Sequence, residues 1–333
     1  MNQILLGDCL ENFKSVKDNS VDVIITDPPY WLGSKFNIDV NGQYVGNMTD
    51  CKHTGSTWKV GDGYWMEALL KECFRVLKYG GMALMFSIDR MADLPTYNAR
   101  KNGFDVCQSV YWKFKSGMPK GTNTSKRVDA LIIQGNASTR SLRKQEFDNP
   151  TGKSIEVKSG SNGFVHDVKF VQRKTETVPI TEVGKKYHGT VYGLACLAPE
   201  AEVICVYRKP MKYENMARDA VKSFEDDEVR ASVVYVDEYR KKYGKFPSQV
   251  LEVSKPSGKE RNGHPTQKPI KLMEDLILLF SGVDELILDP FCGSGTTLVA
   301  AQSMGRKFIG FEINESFKEI AEKRLTNALF FDA

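Results

Sequence analysis

The sequence contains no apolar run approaching the about 18 residues that a membrane-spanning helix requires. Residues 1–8 lack the basic segment followed by a long apolar segment that marks a secretory signal peptide. Seven cysteines are present, but their spacing is irregular and none forms a Cys-x-x-Cys pair. This spacing argues against a disulfide framework and against a zinc site. We therefore expect a cytoplasmic protein with reduced thiols and no bound metal.

A strong charge of one sign is also lacking, since 46 Lys and Arg face 42 Asp and Glu, for a net charge of +4. The distribution is uneven, because residues 113–174 contain 13 Lys or Arg and 5 Asp or Glu. That segment therefore carries +8 and the rest of the chain −4. One explanation is an anionic partner such as nucleic acid, and the other is an unevenly charged solvated surface.

Apolar segments with strand and helix periodicity alternate at both ends of the chain, which predicts a mostly parallel α/β sheet. Strands are predicted at residues 21–26, 82–86, 106–114, 286–288 and 308–311. Helices are predicted at residues 65–77, 89–102, 271–280, 296–304 and 314–327. Between the two ends, a long loop is predicted at 31–63, a polar basic stretch at 117–186, a sheet-like stretch at 191–208, and one or two charged helices at 215–245.

A glycine-rich turn follows the strand at 286–288, where residues 289–297 read Asp-Pro-Phe-Cys-Gly-Ser-Gly-Thr-Thr. Such a turn lets a ligand approach the backbone, and the helix that follows offers free N–H groups. The turn lacks the Gly-Lys-Ser/Thr ending of a phosphate-binding loop and the third spaced glycine of a nicotinamide site. Asp289 is placed to meet a cationic amino group. Glu312, 23 residues later at the end of the next strand, is placed to bind the ribose of an adenosine.

A second motif, Asp-Pro-Pro-Tyr at residues 27–30, follows the strand at 21–26. The Asp27 carboxylate and the Pro28 carbonyl are two fixed acceptors for the protons of an exocyclic amine, which is a poor nucleophile until such acceptors draw on it. Tyr30 offers an aromatic face on which an extruded base can stack. Taken alone, the motif could equally be a turn after a strand.

The two motifs in this order resemble the permuted β class of amino-group DNA methyltransferases, which use S-adenosylmethionine and carry the catalytic half first. The resemblance covers residues 1–118, 187–210 and 262–326. It implies a Rossmann-like, circularly permuted methyltransferase fold with an inserted target-recognition region. The implied catalytic domain comprises residues 1–118, 187–210 and 262–333, and the implied target-recognition insertions are 119–186 and 211–261.

The resemblance also implies roles for individual residues. The implied catalytic residues are Asp27, Pro28, Pro29 and Tyr30. The implied cofactor site comprises Asp8, Cys9, Asp27, His264, Thr266, Lys268, Asp289, Phe291, Cys292, Gly293, Ser294, Gly295, Thr296 and Glu312. Within it, Asp8 reaches the adenine, and the His-Pro-Thr-Gln-Lys-Pro segment at 264–269 flanks the methionine end. The family's usual His-Glu pair is Ala201-Glu202 here, which leaves any role of the missing histidine unsupported.

The expected function is site-specific methylation of the N6 amino group of adenine in double-stranded DNA with a flipped target base, of the restriction-modification or phage type. Whether the chain forms a homodimer stays open. Cytosine-N4 methylation is the first alternative, although Asp in the first position of the catalytic motif favours adenine. The others are an inactive DNA-binding protein of this fold, and a methyltransferase for RNA or protein glutamine. Enzymes of that last kind usually carry Asn-Pro-Pro-Tyr and the unpermuted order.

Overall fold

The computed structural model describes residues 2–29, 37–45, 63–114, 122–135, 137, 150–158, 171–177, 179–193 and 196–331. The chain divides into two compact units, of which the larger combines Met1–Phe114 with Ala201–Ala333 and the smaller is Lys115–Glu200. Most of the long loop predicted at 31–63 lies outside the described residues. Among the described residues, no helix is both long and apolar enough to cross a membrane.

Strands and helices are numbered in chain order. The strands are β1 Asn2–Leu6, β2 Val21–Thr26, β3 Asn37–Ile38, β4 Tyr44–Val45, β5 Leu77–Ser87, β6 Asp105–Val106, β7 Val110–Lys113, β8 Thr122–Asn123, β9 Pro150–Lys158, β10 Val171–Thr177, β11 Val191–Tyr192, β12 Ala201–Arg208, β13 Val250–Glu252, β14 Leu286–Asp289 and β15 Lys307–Glu312. The α-helices are α1 Cys9–Phe13, α2 Gly63–Val76, α3 Asp93–Lys101, α4 Thr124–Gln134, α5 Glu182–Lys186, α6 Met216–Lys222, α7 Val236–Tyr243, α8 Ile270–Phe280, α9 Thr296–Ser303 and α10 Glu315–Phe331. Short 3-10 turns cover Asp89–Met91 and Gly258–Glu260.

The larger unit is built on one sheet whose order, within the described part of the chain, is β1-β15-β14-β2-β5-β12-β7-β13, with β6 paired to β12. The first five strands of this order are mutually parallel. β12 runs antiparallel to both β5 and β7, and β13 is parallel to β7. The mostly parallel, Rossmann-like α/β fold expected from the sequence is confirmed. The catalytic-motif strand β2 and the glycine-turn strand β14 are neighbours, although they come from opposite ends of the chain.

Both faces of the sheet are covered, which explains why its central strands are apolar at nearly every position. Along β5, Ala83 and Met85 face a core that also contains Leu69 of α2 and Leu94 of α3. The alternate β5 residues, Leu84 among them, face a second core formed with α8 and α9. The larger unit is therefore a three-layer sandwich of helices, sheet and helices.

The segment 211–261, which the resemblance implied to be an insertion for target recognition, groups with the larger unit. Val229 bridges to Tyr79 at the start of β5. The buried Arg230 guanidinium pairs with Glu285 at 2.9 Å and donates to the Phe280 carbonyl at 2.6 Å. β5 is parallel to β2, so its start lies at the edge of the sheet opposite Asp27. This part of the segment is thus anchored away from the catalytic motif.

The smaller unit contains α4, α5 and two short antiparallel pairings, β8 with β11 and β9 with β10. Its best-defined feature is Asp129, whose buried carboxylate accepts hydrogen bonds from the backbone N–H groups of Ile180 and Thr181. The Thr181 side chain in turn caps α5 by accepting from Gly184 N at 2.9 Å. This buried carboxylate therefore joins α4 to α5.

We expect Gly310→Ala to destabilise the larger unit. A Cβ on Gly310 would lie 2.6 Å from Leu298 Cδ1 and 2.9 Å from Cys292 Sγ, and overpacking of this kind costs about 1–3 kcal/mol. Urea denaturation should show the loss. Leu298→Ala removes the nearer of the two clashing atoms. The free energy of unfolding lost by the double variant should therefore be smaller than the sum of the losses of the two single variants. An unchanged denaturation midpoint in Gly310→Ala would contradict the packing described for this strand.

Candidate active site

Four carboxylates lie at or just after the carboxyl ends of four neighbouring parallel strands. In sheet order β1, β15, β14 and β2, they are Asp8, Glu312, Asp289 and Asp27. Parallel strands end at the same edge, and strands lie about 4.8 Å apart, so the row spans about 14 Å. Gly7 N donates to the Glu312 carbonyl at 2.9 Å, which extends the β1–β15 pairing to the start of the row. The two halves of the sequence-predicted site therefore meet at one sheet edge.

The turn between β14 and α9 depends on two glycines in the left-handed region, Gly293 with φ +52° and Gly295 with φ +77°. A Cβ on Gly293 would lie 2.9 Å from His264 Nε2, and one on Gly295 would lie 2.7 Å from the Ala321 Cβ. No side chain caps α9 at Gly295, so the first N–H groups of the helix are not used by a cap. The turn conformation and its packing against His264 and Ala321 therefore both require glycine at these two positions.

Asp289, at the end of β14, is buried. Its carboxylate accepts hydrogen bonds from the Thr297 hydroxyl at 2.6 Å and from Phe291 N at 3.1 Å. Burial dominates over these bonds and raises the pKa of Asp289 to about 7. Within the larger unit this carboxyl is therefore balanced between its two protonation states near neutral pH, and a cationic ligand group would favour the ionised form.

Glu312 is also buried and holds the turn from the other side. Its two oxygens accept from Gly293 N at 2.9 Å and from Asn314 N at 2.8 Å. Burial raises the pKa of Glu312. A carboxylate has about four lone-pair positions, so both oxygens keep acceptor capacity for hydroxyl groups of a ligand. Asp8, next in the row, caps α1 by accepting from Leu10 N at 2.8 Å.

The cysteines of the predicted cofactor site are buried. Cys9 is the first residue of α1, and burial raises the pKa of its thiol to about 12. Burial also raises the pKa of Cys292 well above its ordinary value. Both thiols are therefore protonated at neutral pH and unsuited to nucleophilic catalysis. They act as small apolar groups, Cys9 in the core that contains Leu69 of α2 and Cys292 in the core formed with α8 and α9.

Asp27 is held by Lys268 in an ion pair. Lys268 Nζ lies 2.7 Å from Asp27 Oδ2 and 3.1 Å from Glu202 Oε2. Lys268 is nearly fully buried, and burial opposes its charge, but the carboxylates of Asp27 and Glu202 outweigh that effect and raise its pKa. Asp27 Oδ1 is buried and has no hydrogen-bond partner among the described residues. The ion pair therefore uses one oxygen of Asp27 and leaves the other as an acceptor.

Aromatic rings enclose the ammonium group of Lys268. Its Nζ lies 4.9 Å from the centre of the Phe86 ring and 5.8 Å from the centre of the Trp112 ring. Both rings are buried, and Trp112 Nε1 donates to the Val253 carbonyl at 2.7 Å, which fixes the indole. Such rings stabilise a cation and exclude water from its ion pairs. The charge on Lys268 is thus shielded from solvent.

His264 lies at the other side of the glycine turn. Its ring packs edge-on against Phe317 of α10, with 4.4 Å between ring centres. Burial lowers the pKa of His264 to about 4, against the opposing charge of Asp27. The imidazole is therefore neutral at physiological pH and contributes shape and hydrogen bonding rather than charge.

A single cleft collects most of the predicted residues. It is lined by Asp27, His264, Thr266, Gln267, Lys268, Met273, Asp289, Phe291, Cys292, Gly293, Ser294, Thr296 and Thr297. Asp8, Cys9, Pro28, Pro29, Gly295 and Glu312 do not line it, although they occupy the same sheet edge or its adjoining turns. Tyr30 lies outside the described residues. Among the residues that the structure describes, no group of three His, Cys, Asp or Glu side chains is placed to hold a metal ion.

Two contacts in the site were not predicted from the sequence. Glu202 reaches Lys268, a contact whose only sequence signal is that Glu202 alternates with Ile204 and Val206 along β12. Arg324 of α10 donates to the Ser294 carbonyl at 2.6 Å and to Thr296 Oγ1 at 3.1 Å. These two hydrogen bonds tie the glycine turn and the start of α9 to α10. We find no sequence signal for this second contact.

Several known proteins resemble this chain over nearly its whole length. The sequence model of the DNA methylase family of N6 and N4 enzymes matches residues 21–323. The chain is 25% identical over 331 residues to the DNA adenine methyltransferase YhdJ of Escherichia coli, covering 99% of this chain and 84% of that protein. It is 24% identical over 328 residues to the type II methyltransferase M.HinfI of Haemophilus influenzae, covering 98% and 68%. The crystal structure of an M1.HpyAVI–SAM complex superposes with a TM-score of 0.51 at 18% identity, covering 98% of this chain and all of that one.

We expect Asp289→Asn to flatten the dependence of stability on pH. Because burial raises the pKa of Asp289 to about 7 from its ordinary 3.8, the folded state binds a proton that the unfolded state has lost between about pH 4 and 7. The wild type should therefore lose about 4 kcal/mol of unfolding free energy across that window as pH rises, through this group. Asn keeps the shape of the side chain and removes the titration.

Urea denaturation at several pH values measures this slope in the protein without ligand. Asp237→Asn is the matched control, because it changes the same charge on a side chain that is 81% exposed. Equal slopes in the wild type and Asp289→Asn would show that Asp289 is ionised throughout this range, and that its burial is less complete than described.

Proposed function

The chain belongs to the DNA methylase family of N6 and N4 amino-group enzymes, and on that basis we propose that it transfers a methyl group from S-adenosylmethionine to the N6 amino group of adenine in DNA. The observation that carries the proposal is the difference between the contacts of the two Asp27 carboxylate oxygens. One of its oxygens is fixed by Lys268, and the other is a buried acceptor without a partner among the described residues. A buried acceptor of this kind is costly unless a ligand supplies the donor.

The row of carboxylates fits S-adenosylmethionine. Its span of about 14 Å suits an extended nucleoside joined to an amino acid, and each member has the chemistry that its place requires. Glu312 keeps acceptor capacity for the ribose hydroxyls, and Asp289 regains its charge beside a cationic amino group. Gly293 and Gly295 let the backbone approach the ligand. When bound, S-adenosylmethionine supplies the electrophilic methyl group.

The protein's part in the transfer is to prepare the amine. Asp27 Oδ1 would accept a hydrogen bond from one N–H of the target amino group, and the Pro28 carbonyl would accept one from the other, so that the nitrogen lone pair becomes available for attack. As the new C–N bond forms, one of the two protons leaves the nitrogen and Asp27 is placed to take it, while the other stays on the methylated amine. Lys268 keeps Asp27 in a single orientation, which preserves the acceptor geometry during the transfer. The protonated thiols of Cys9 and Cys292 take no part, in keeping with a reaction that needs no covalent enzyme–base intermediate.

Adenine is the proposed base because relatives aligned over nearly the whole chain include a DNA adenine methyltransferase. The Asp at the first position of the catalytic motif supports the same choice over cytosine. We further propose that the target base is extruded from the duplex, because Asp27 lies at the sheet edge and a stacked base cannot present its amino group there. Stacking of the base on Tyr30, a homodimeric state and a cytoplasmic location stay predictions.

We propose that the smaller unit contacts the DNA. It contains most of the basic stretch 113–174, whereas segment 211–261 groups with the larger unit and is in part anchored at the opposite edge of the sheet. Lys126 and Arg127 lie in the first turn of α4, and Arg127 is exposed. Cations of this kind contact phosphates and supply affinity without reading sequence.

We expect Asp27→Ala to lower methyl transfer by about 100-fold or more, because it removes an acceptor used in the transition state. Binding of S-adenosylmethionine, measured by calorimetry, should be largely retained, since the glycine turn is untouched. Sequencing of host DNA with modified-base detection identifies the methylated base and its target in the wild type. Methyl transfer by Asp27→Ala within tenfold of the wild-type rate would show that Asp27 takes no part in the reaction. If the wild-type product were N4-methylcytosine, the target base would be cytosine and not adenine.

Salt dependence tests the DNA contact. The slope of log affinity against log salt is negative, and neutralising Lys126, Arg127, Arg140, Arg143 and Lys144 should make it less steep by about 0.9 for each phosphate that the protein no longer neutralises. The last three of these residues lie outside the described part of the chain. The control neutralises five exposed cations of the larger unit, Lys14, Arg218, Lys222, Arg240 and Lys323. If only the control variant made the salt dependence less steep, the DNA interface would lie on the larger unit.

A further inference from the structure

We propose that Glu202 is a positioning residue that keeps Lys268 from closing on both oxygens of Asp27, and so leaves Asp27 Oδ1 to the target amino group. The inference rests on the proposed function, because it concerns the acceptor that the proposed reaction uses. Glu202 itself is not expected to touch the base. Its effect is transmitted through Lys268.

The fold places Glu202 where this role is possible. Glu202 pairs with Trp112 in the β12–β7 ladder, and the next residue, Val203, pairs with Ser87 at the end of β5. β5 ends at the same edge as β2, so Glu202 reaches the active-site edge from the antiparallel side of the sheet. Ile204 and Val206, on the same face of β12, pack into the core formed with α8. Lys268 lies just before that helix and points into the same layer.

The distances show a lysine shared between two carboxylates. Its Nζ lies 2.7 Å from Asp27 Oδ2 and 3.1 Å from Glu202 Oε2. The Lys268 side chain is 8% exposed, while those of Asp27 and Glu202 are 20% and 22% exposed. With so little solvent around the ammonium group, the attractions of the two carboxylates are weakly screened and contribute strongly to its position.

The consequence concerns the free oxygen. A buried ammonium group with Asp27 as its one anionic neighbour would be drawn toward both oxygens, because it has three donors to satisfy. Glu202 takes up one of these donors at 3.1 Å, and the contact of Lys268 with Asp27 is to Oδ2. The same arrangement leaves the triad of Asp27, Lys268 and Glu202 with a net charge of −1, so Asp27 remains an effective acceptor for a partly positive amino group.

The test is a double-mutant cycle built on Glu202→Gln, which keeps the size of the side chain and removes its charge. In the otherwise wild-type protein, kcat should fall by about 10- to 100-fold, the effect of a misplaced catalytic group. The Kd for S-adenosylmethionine, measured by calorimetry, should change less than about twofold, because the glycine turn is not touched. In the Lys268→Met background, Glu202→Gln should cause no further loss, because no ammonium group remains to be positioned.

Glu202→Asp keeps the charge and should give a kcat between those of the wild type and Glu202→Gln. This comparison distinguishes the effect of the Glu202 charge from an effect on the structure of β12. Glu225→Gln is the matched control, since it removes the same charge from an exposed pair with Lys222 and should leave kcat unchanged. The inference is overturned by an unchanged kcat in Glu202→Gln, by an equal loss in both backgrounds, or by Glu202→Asp performing no better than Glu202→Gln. A wild type that methylates no DNA would instead refute the proposed function, and the inference with it.

Discussion

Parallel pairing of β14 with β2 is the constraint on which the site depends. It brings the end of a strand from the last third of the chain beside the end of a strand from the first tenth, so that Asp289 and Asp27 become neighbours. β15 and β1 extend the same edge, and they add Glu312 and Asp8. The order of the four carboxylates along the edge follows the order of the strands in the sheet. It is therefore insensitive to which half of the site comes first in the sequence.

The same edge concentrates charge in a nearly dry environment, which is costly for the protein without ligand. Burial raises the pKa of both Asp289 and Glu312, and in each case it outweighs hydrogen bonds that favour the ionised form. Asp27 avoids this cost only in part, through Lys268. The protein without ligand therefore loses stability at a sheet edge where ligand groups could restore it. A perturbed carboxyl group in a cleft, such as that of Asp289, is typical of functional sites. The helices on both faces of the sheet supply the compensating apolar burial.

What could be predicted from the sequence was local. Strand β2, the glycine turn and helix α9 follow from short patterns of apolar residues and glycines, and the motifs at their junctions identified Asp27 and Asp289. Strand β1 was not predicted as a strand, because five residues with partly exposed positions give too weak a pattern. The contacts of Glu202 with Lys268 and of Arg324 with Ser294 join distant segments, so only the pairing of β12 or the packing of α10 reveals them. The grouping of segment 211–261 with the larger unit rests on similar long-range contacts, notably that of Arg230 with Glu285.

The position of the smaller unit in the chain follows from the antiparallel part of the sheet. The chain leaves the sheet after β7 and returns at β12, and Lys113 pairs directly with Ala201. The two ends of the insertion are therefore already adjacent, and closing the sheet around it costs little beyond the loop entropy of the insertion itself. The pair formed by Lys113 and Ala201 lies at the active-site edge, and Ala201 directly precedes Glu202. An insertion at this point leaves the pairing of the parallel strands that carry the four carboxylates undisturbed. Its attachment also lies beside the residue that we propose positions the catalytic ion pair.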